Sequence, residues 1–401
     1  MNRVPSPPDQ SRADPAAVAA WSGARRILAV RLDNLGDVVM TGPALAAIKQ
    51  RSPDVRLTLL ASPSGAAACA HMPMVDDVIR YEAPWVKRGN GTDPSSRSGD
   101  GQQQGSADLD MIETLRRRGF DGAIVFSVCT QSALPAALML TYAGIPLRAA
   151  YARENPYGLL THWNKDTETV DSGMLHEVER QLASVRGLGY EVTDDRLVFR
   201  YGDADAVSMR RKSSNAGVGA GQRYVVFHVG ATAESRRYPA EGFHAAARAI
   251  EAASGAVPVF VGAESERSVV EAARGAPPIG ISLVGQLNLG ELAALIDEAD
   301  AMVCNNSGPA HIAAAQGTPT TVLYALTNPQ HTPWRVQSRV LNTDVPCRNC
   351  LKSVCPLGHN HCLTLVPPSQ IVEATLDLMS SASRARSFAT QAARPEVVPF
   401  S

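Results

Sequence analysis

The chain lacks the features that mark several large functional classes. It has no run of about 18 or more apolar residues, which argues against a transmembrane helix, and its proline-rich start lacks the apolar core of a signal peptide. Its 38 lysines and arginines are balanced by 39 aspartates and glutamates, so nucleic acid is not favoured as the main partner. These absences predict a cytoplasmic protein with reduced cysteines.

The sequence does contain short apolar strands that alternate with helical stretches along both halves. The pattern predicts an α/β fold of two Rossmann-like doubly wound domains, which face each other across a cleft. In the first half, the loop after the opening strand is expected to run to Pro43, where a helix begins. The predicted segments are a disordered tail (1–23), a first domain (24–205) with a flexible insert (87–108), a linker (206–222), a second domain (223–382) and a disordered tail (383–401).

One turn in the second half has the pattern of an anion-binding helix start. A strand over 301–306 leads into Ser307, Gly308 and Pro309, and His311 follows on the first turn of the next helix. A helix N-terminus presents unpaired N–H donors and a partial positive charge, and Gly308 lets an anion approach the backbone. Taken alone, this pattern is also that of a capped helix without a ligand, but its position after a strand favours a phosphate site.

Two other strand ends in the second half offer polar groups. The turn at 228–232 ends in Thr232, and Arg236 and Arg237 follow closely, so either arginine could reach a diphosphate. Glu264 follows the next strand, where its carboxylate could take ribose or base hydroxyls. The alternatives are a solvated arginine pair and a first-turn glutamate that the helix dipole stabilises.

The corresponding loop of the first half contains Arg31, Asp33, Gly36 and Asp37. It matches neither the dinucleotide-binding pattern of glycines nor a Walker P-loop, so hydride transfer and ATP hydrolysis lose support. Transfer of a sugar to a hydroxyl needs a base for the acceptor proton, and Asp37 beside the helix start could serve. The alternative for Asp37 is a helix cap.

Four segments in order resemble the motifs of family 9 glycosyltransferases, the heptosyltransferases of lipopolysaccharide core assembly. The resemblance spans about Arg25 to Glu373. It rests on R-x-D-x-x-G-D at 31–37, on Leu175-His176-Glu177-Val178-Glu179-Arg180, on Gly230-Ala231-Thr232 with Arg236-Arg237-Tyr238-Pro239, and on Asn305-Asn306-Ser307-Gly308-Pro309-Ala310-His311.

The resemblance implies a GT-B fold, a nucleotide-diphospho-sugar donor (usually ADP-heptose), inversion at the anomeric carbon and no catalytic metal or other required cofactor. It implies an acceptor that is a glycan, a lipid-linked glycan or a small molecule, and peripheral contact with the inner membrane face. In this sequence the implied base is Asp37, and the implied acceptor-side residues are Arg31, Gly36 and His176. The implied donor-binding residues are Thr232, Arg236, Ser307, Gly308 and His311, together with Asn306 and Pro309 of the same motif. Glu264 is added to the predicted donor-binding residues because of its position after a strand.

The sequence departs from the family pattern at the donor site, and its polar insert at 87–108 lies near the expected acceptor side, where it could alter the choice of acceptor. Asn306 stands where the family normally carries Asp, and Arg236 and Tyr238 stand for Lys and Trp. Because Asn306 removes a negative charge, it changes the hydrogen bonds offered to sugar or base. A non-catalytic sugar-nucleotide-binding protein is therefore an alternative function, although Asp37 is retained. A sugar-nucleotide epimerase would share the architecture, but the motif at 31–37 disfavours it.

Four cysteines cluster near the carboxyl end: Cys347, Cys350, Cys355 and Cys362. In a reduced compartment, four such thiols are typical of a structural zinc or iron site. Only one short C-x2-C pair is present, so free thiols stay an alternative. The other three cysteines, Cys69, Cys129 and Cys304, lie in apolar segments and are predicted to be core residues.

Overall fold

The computed structural model describes residues 14–86, 101–169 and 173–392. The chain divides into two compact units. The first runs to Arg200 and includes Pro329–His331, and the second contains Tyr201–Asn328 and the chain from Thr332 onward.

The first unit is built on a parallel six-stranded sheet with strand order β3-β2-β1-β4-β5-β6. Its strands are β1 (Arg26–Arg31), β2 (Arg56–Ala61), β3 (Asp77–Arg80), β4 (Gly122–Val125), β5 (Leu147–Ala152) and β6 (His162–Lys165). Its helices are α1 (Pro15–Ser22), α2 (Leu35–Arg51), α3 (Pro63–Ala66), α4 (Gly101–Arg118), α5 (Leu134–Tyr142) and α6 (Glu177–Arg186). In this doubly wound order the connections reverse direction between β1 and β4, the switch point where such sheets bind ligands.

The second unit repeats the arrangement with strand order β12-β11-β10-β7-β8-β9, so its switch point lies between β7 and β10. Its strands are β7 (Tyr224–His228), β8 (Val257–Val261), β9 (Ile281–Ser282), β10 (Ala301–Asn305), β11 (Thr320–Leu323) and β12 (Ser338–Leu341). Its helices are α7 (Asp203–Ala216), α8 (Ala240–Ser254), α9 (Arg267–Arg274), α10 (Leu289–Asp297), α11 (Gly308–Gln316), α12 (His361–Thr364) and α13 (Pro368–Ala392). Two doubly wound α/β units confirm the predicted fold class.

The central strands of each sheet are buried because they are apolar on both faces. In β1, Leu28 and Val30 pack with Leu115 of α4 and Leu140 of α5, while Ile27 on the opposite face is also fully buried. Strands covered on both faces read as continuous apolar runs, which is why the sequence indicates them clearly.

The start of the described chain is ordered, which corrects the tail predicted for residues 1–23. Asp14 accepts a hydrogen bond from the Ala16 amide and caps α1. Trp21 on this helix is only 1% exposed, and its Nε1 donates to His162 Nδ1 over 3.1 Å. The buried Trp21 side chain anchors α1 to the sheet, although the polar, proline-rich composition of this segment suggested disorder. Residues 1–13 lie outside the described residues.

Helix α2 begins at Leu35 and contains Pro43 in its interior, so the prediction of a loop as far as Pro43 is wrong. The Asp37 carboxylate accepts from the Asn34 amide over 3.2 Å and thereby closes the first turn. Buried residues from Gly36 onward then hold the helix against the sheet, which outweighs the preference of proline for a first turn.

Two segments predicted to be flexible contain helix. Helix α4 starts at Gly101 inside the predicted insert 87–108, and Asp108 there accepts from the Tyr81 hydroxyl over 2.7 Å; residues 87–100 lie outside the described residues. Helix α7 occupies most of the predicted linker 206–222, because it buries Met209 and pairs Lys212 with Glu291. The division between the units falls earlier, at Arg200.

The carboxyl end is also more regular than predicted. Strand β12 forms one edge of the second sheet, and α13 extends to Ala392, into the tail predicted for residues 383–401. Residues 393–401 lie outside the described residues. Among the helices of the described ranges, none combines the length and the apolar character needed to cross a bilayer.

Candidate active site

At the switch point of the first unit, three carboxylates surround one buried guanidinium. Arg31, the last residue of β1, is fully buried and pairs with Asp33 at 3.0 Å, Asp37 at 3.4 Å and Glu177 at 2.7 Å. The three carboxylates come from the loop after β1, the first turn of α2 and the first turn of α6. Of the three side chains, Asp37 is the most exposed at 19%, against 10% and 0%. Asp37 is therefore the carboxylate that a substrate reaches most easily.

This group, which we call the Arg31 cluster (Arg31, Asp33, Asp37, Glu177), has more acid than base. Burial, together with Asp37 and Glu177, raises the pKa of Asp33 to about 6, although Arg31 opposes the shift. His331 Nε2 lies 3.9 Å from Asp37 Oδ1 and 3.9 Å from Glu177 Oε2, where its protonated form would offset part of the excess. Asp33 therefore binds a proton at a higher pH than an ordinary aspartate does.

Helix α6 is held by a second buried arginine, Arg180. Its guanidinium pairs with Asp166 at 3.0 Å and Glu168 at 2.7 Å, and its Nε donates to the Ser127 carbonyl over 3.0 Å. Because Glu177 and Arg180 are one helical turn apart, fixing Arg180 fixes the carboxylate that reaches Arg31.

The predicted acceptor-side residues have clear structural positions. Arg31 is fully buried, so it acts on a substrate only through the carboxylates that it holds. Gly36 is buried in the first turn of α2, and His176 accepts from the Val178 amide over 3.2 Å as the cap of α6. Sequence reasoning missed Glu177, Arg180 and His331 as members of this region. For Glu177 and Arg180, the available indication in the sequence was that both are charged residues of the motif at 175–180.

At the switch point of the second unit, a serine, a histidine and a glutamate form a chain. Ser307 Oγ lies 3.2 Å from His228 Nδ1, and His228 Nε2 lies 3.6 Å from Glu266 Oε2. His228 lowers the pKa of Glu266 against the effect of burial, so this carboxylate favours the charged form. A Cβ at Gly230 would meet the Glu266 carboxylate, so a larger residue at this turn would require the Glu266 side chain to move away from His228. Sequence reasoning did not single out His228 or Glu266.

The Ser307 hydroxyl does not cap α11, although Ser307 occupies the cap position. It contacts His228 and the Asn305 carbonyl instead, and Pro309 has no N–H to satisfy. The backbone N–H groups in the first turn of α11 therefore receive no hydrogen-bond acceptor from the Ser307 side chain, and the positive end of the helix dipole is not neutralised by the cap residue. This is the electrostatic setting in which a phosphate binds.

The remaining donor-side residues lie around this switch point with different environments. Thr232 is exposed and Arg236 is half-buried, whereas the Arg237 Nε donates to the Ala231 carbonyl over 2.8 Å. The Glu264 carboxylate is exposed and pairs with Arg267 at 2.6 Å. Asn306 is 3% exposed, and its Nδ2 has no hydrogen-bond partner among the described residues, while His311 is buried. Donor-binding roles for these residues stay predictions.

The four clustered cysteines line one small cavity of about 20 Å³ between the second-unit loops that carry them. All four are free and partly exposed. Over the described residues, no three His, Cys, Asp or Glu side chains form a group that could hold a metal ion. The donor atoms suit zinc or iron, but the thiols would have to converge further to bind one. Cys69, Cys129 and Cys304 are buried, which confirms the prediction that they are core residues.

The chain matches one protein family. The sequence model of glycosyltransferase family 9 (heptosyltransferase) matches residues 109–361. The chain is similar to lipopolysaccharide heptosyltransferase 3 of Escherichia coli, with 25% identity over 305 residues, which cover 75% of this chain and 83% of that relative.

Solved structures share the fold. A family 9 glycosyl transferase from Veillonella parvula DSM 2008 superposes with a TM-score of 0.70 and 20% identity, over 89% of this chain and 97% of that chain. The E. coli ADP-heptose lps heptosyltransferase II superposes with a TM-score of 0.67 and 19% identity, over 89% of this chain and 99% of that chain. The predicted GT-B fold is thereby confirmed.

Proposed function

Because the chain belongs to glycosyltransferase family 9, the heptosyltransferase family, we propose that it transfers heptose from ADP-heptose to a hydroxyl of a lipopolysaccharide-core-like glycan, with inversion at the anomeric carbon. The observation that carries this proposal is Asp37, the most exposed carboxylate of the Arg31 cluster, at the switch point of the first unit. A lipid-linked acceptor would bring the enzyme to a membrane surface as a peripheral protein.

In the proposed reaction, the acceptor oxygen attacks the anomeric carbon from the face opposite the diphosphate. Asp37 takes the proton of the attacking hydroxyl while the bond between the anomeric carbon and the phosphate oxygen breaks. ADP leaves with the electron pair of that bond. Arg31 keeps Asp37 charged before the attack, and the dipole at the start of α2 favours the same ionised form.

The second unit supplies the groups proposed to bind the donor. The first turn of α11, with Ser307 at its start, is suited to one phosphate, and Arg236 and Thr232 follow the other strand of the switch point. The reaction as proposed uses no metal, so these groups must stabilise the charge that develops on the leaving diphosphate. Asn306 would use its free Nδ2 donor toward the sugar or the nucleotide.

Replacing Arg236 by Gln tests the donor site. Loss of a charge-assisted hydrogen bond to the diphosphate should raise the dissociation constant for ADP about 10- to 100-fold, as measured by isothermal titration calorimetry. Arg248→Gln, an exposed arginine of α8, is the matched control and should change the constant less than about twofold. Equal ADP binding by both variants would show that Arg236 does not bind the diphosphate. Failure of the unmodified protein to bind ADP would contradict the proposal that ADP-heptose is the donor.

A second candidate function is a sugar-nucleotide-binding protein without transferase activity. Asn306 favours it, because this buried amide replaces the carboxylate usual at the position. The same protein preparation separates the two functions. A binding protein takes up ADP-heptose but leaves it intact with every acceptor, whereas the transferase releases ADP when a suitable acceptor is added.

For the clustered cysteines we propose a structural zinc or iron ion. Elemental analysis of the purified protein should give about one metal ion per chain, and chelation should lower the melting temperature by about 5 °C or more. Cys350→Ser should lose the metal, while Cys69→Ser, a buried thiol of the first unit, should retain it. A metal-free protein whose melting temperature does not respond to chelator would contradict the proposal.

A further inference from the structure

A cavity of about 300 Å³ lies at the amino end of the first sheet, and we call it the amino-edge cavity. It is lined by Arg26, Arg56, Thr58, Arg118 and Phe120. Arg26 is the first residue of β1, whereas Asp37 follows the end of that strand. Because a strand of six residues spans roughly 17 Å, the cavity is remote from the proposed base and from the Arg31 cluster.

Three arginines from three elements meet at this cavity. Arg26 and Arg56 are direct partners in the pairing of β1 with β2, so their side chains leave the same face of the sheet from neighbouring strands. Leu28, two residues after Arg26, identifies this face, because it packs with Leu115 of α4. Arg118 ends α4 one turn after Leu115. The packing of α4 on the sheet therefore brings the third guanidinium to the other two.

The protein neutralises only part of this positive charge. Arg118 pairs with Asp77 of β3. Burial would raise the pKa of Asp77, but Arg118, by hydrogen bond and charge, and Arg56, by charge, hold it below its usual value. The side chains of Arg26 and Arg56 make no hydrogen bond or close ion pair with another of the described residues. Three guanidinium groups against one carboxylate leave two positive charges at the cavity.

The carboxylate that follows α4 is engaged by the main chain. Asp121 accepts from the amides of Arg25 and Arg26 over 2.7 and 2.8 Å, and it does not line the cavity. Its hydrogen bonds fix the start of β1, from which the Arg26 side chain projects. Asp121 therefore positions one of the three arginines through the backbone and does not pair with its guanidinium.

A phosphate monoester matches the charge and the donors of the amino-edge cavity. Near pH 7 it carries about 1.5 to 2 negative charges on three terminal oxygens. Guanidinium groups bind such oxygens through paired N–H donors, and an anion between like charges relieves their repulsion. A carboxylate has one charge and two oxygens, so it would leave part of the positive charge unmatched. The volume is at the lower end of the range of about 300 to 1,000 Å³ for small-molecule sites, which leaves room for part of the group that carries the phosphate.

We propose that the amino-edge cavity is a binding site for a phosphate monoester group, which Arg26, Arg56 and Arg118 hold. The site is separate from the proposed transfer reaction, because it lies at the end of β1 opposite to Asp37. It depends on neither the donor nor the acceptor. The phosphate belongs to a soluble small molecule or to the headgroup of a lipid such as phosphatidic acid, since both present the same chemistry to the arginines.

The soluble source is tested with glycerol 3-phosphate as the probe. The full-length protein is titrated in a chloride buffer at about pH 7.5, where the phosphate is mostly doubly charged, and binding is followed by phosphorus NMR. Glycerate, measured by displacement of the probe, should bind at least about 10-fold more weakly, because it carries a single charge. Equal binding of the two anions would contradict the assignment to phosphate.

Two variants and a matched control locate the binding. Arg26→Gln and Arg56→Gln should each weaken binding of glycerol 3-phosphate about 5- to 50-fold, through loss of charge-assisted hydrogen bonds. Arg25→Gln removes the same charge from the residue before Arg26, but Arg25 does not line the cavity, so binding should change less than about twofold. An equal loss in all three variants would mean general attraction to a basic surface and would overturn the proposal. Melting temperatures verify that each variant is folded.

The lipid source is tested with vesicles of phosphatidylcholine, with and without phosphatidic acid. If the ligand is a headgroup, the protein should sediment only with the vesicles that contain phosphatidic acid, and Arg56→Gln should reduce this binding while Arg25→Gln retains it. If the ligand is a soluble ester, glycerol 3-phosphate should bind and the vesicles should not. Absence of both kinds of binding, or binding that Arg56→Gln leaves unchanged, would overturn the proposal.

The proposed donor site also attracts phosphate, and Arg236→Gln separates the two sites. This variant should bind glycerol 3-phosphate within about twofold of the unmodified protein, because Arg236 belongs to the second unit. Loss of the probe in Arg236→Gln, with full binding in Arg56→Gln, would place the phosphate in the second unit and refute the amino-edge site. That result would leave the proposed transferase function standing, so the two proposals fail separately.

Discussion

Asp37→Asn is expected to lower kcat for heptosyl transfer about 100- to 10,000-fold, because the amide cannot take the proton of the attacking hydroxyl. The Asn side chain has nearly the same shape and can still accept from the Asn34 amide, so the first turn of α2 should persist. The affinity for ADP should stay within about twofold of the unmodified protein, because the proposed donor groups belong to the second unit. The measurement is release of ADP from ADP-heptose in the presence of acceptor, together with calorimetric titration of ADP.

The matched control for this variant is Asp33→Asn. Asp33 lies in the same loop and pairs with the same arginine, but its side chain is half as exposed as that of Asp37. Because Asp33 is not the proposed base, Asp33→Asn should lower kcat by less than about 10-fold. A pair of variants with equal losses would indicate general disturbance of the Arg31 cluster. Full activity in Asp37→Asn would exclude Asp37 as the base.

The sequence is sufficient to predict the positions of the sites in each sheet. Parallel strands are read from their apolar runs, and polar residues that follow such strands must lie at the carboxyl edge. This logic places Asp37 after β1 and Ser307 after β10 correctly, each at a switch point. The residue types at those strand ends suggested a phosphate site and a base, and the order of the family motifs then favoured them over the alternative of helix caps.

Burial changes the role assigned to Arg31, which the sequence analysis placed on the acceptor side. An arginine at the mouth of a predicted site suggests a substrate contact, yet Arg31 is enclosed by its three carboxylates. Two of them are near in sequence, but Glu177 is on α6, and only the packing of α2 against α6 brings it to Arg31. Local patterns cannot show such a contact, because it depends on the tertiary arrangement.

The amino-acid composition led to wrong predictions of disorder in the N-terminal tail and in the linker, again because local patterns do not show tertiary packing. The segments around Trp21 and Met209 contain many small or polar residues, so their average indicates no core. One large buried side chain in each is nevertheless enough to dock a short helix, because tertiary packing supplies most of the stability of such helices. In the second unit, the contact between His228 and Glu266 could not be predicted, because His228 ends β7, Glu266 follows β8, and only the sheet order brings the two side chains together.

Arg31→Met is expected to destabilise the first unit strongly. Methionine fills much of the arginine volume but leaves Asp33, Asp37 and Glu177 close together without their cation. Removing one partner from a buried ionic group costs about 3 to 5 kcal/mol of unfolding free energy. Arg26→Met is the control in the same strand, because Arg26 is exposed at the opposite end of β1, and it should change stability by less than about 0.5 kcal/mol.

The loss in Arg31→Met should depend on pH in a defined direction. Burial already raises the pKa of Asp33 in the folded state to about 6, and Arg31 opposes that shift, so the variant without Arg31 takes up a proton at Asp33 at a higher pH than the unfolded chain does. The destabilisation is then fully present above the raised pKa of Asp33 and declines as the pH falls from about 7 toward about 5. Urea unfolding followed by tryptophan fluorescence at the two pH values measures it, since Trp21 is buried in this unit. An equal loss at both values would mean that Arg31 stabilises the fold through packing, and that the carboxylates are not held together by its charge.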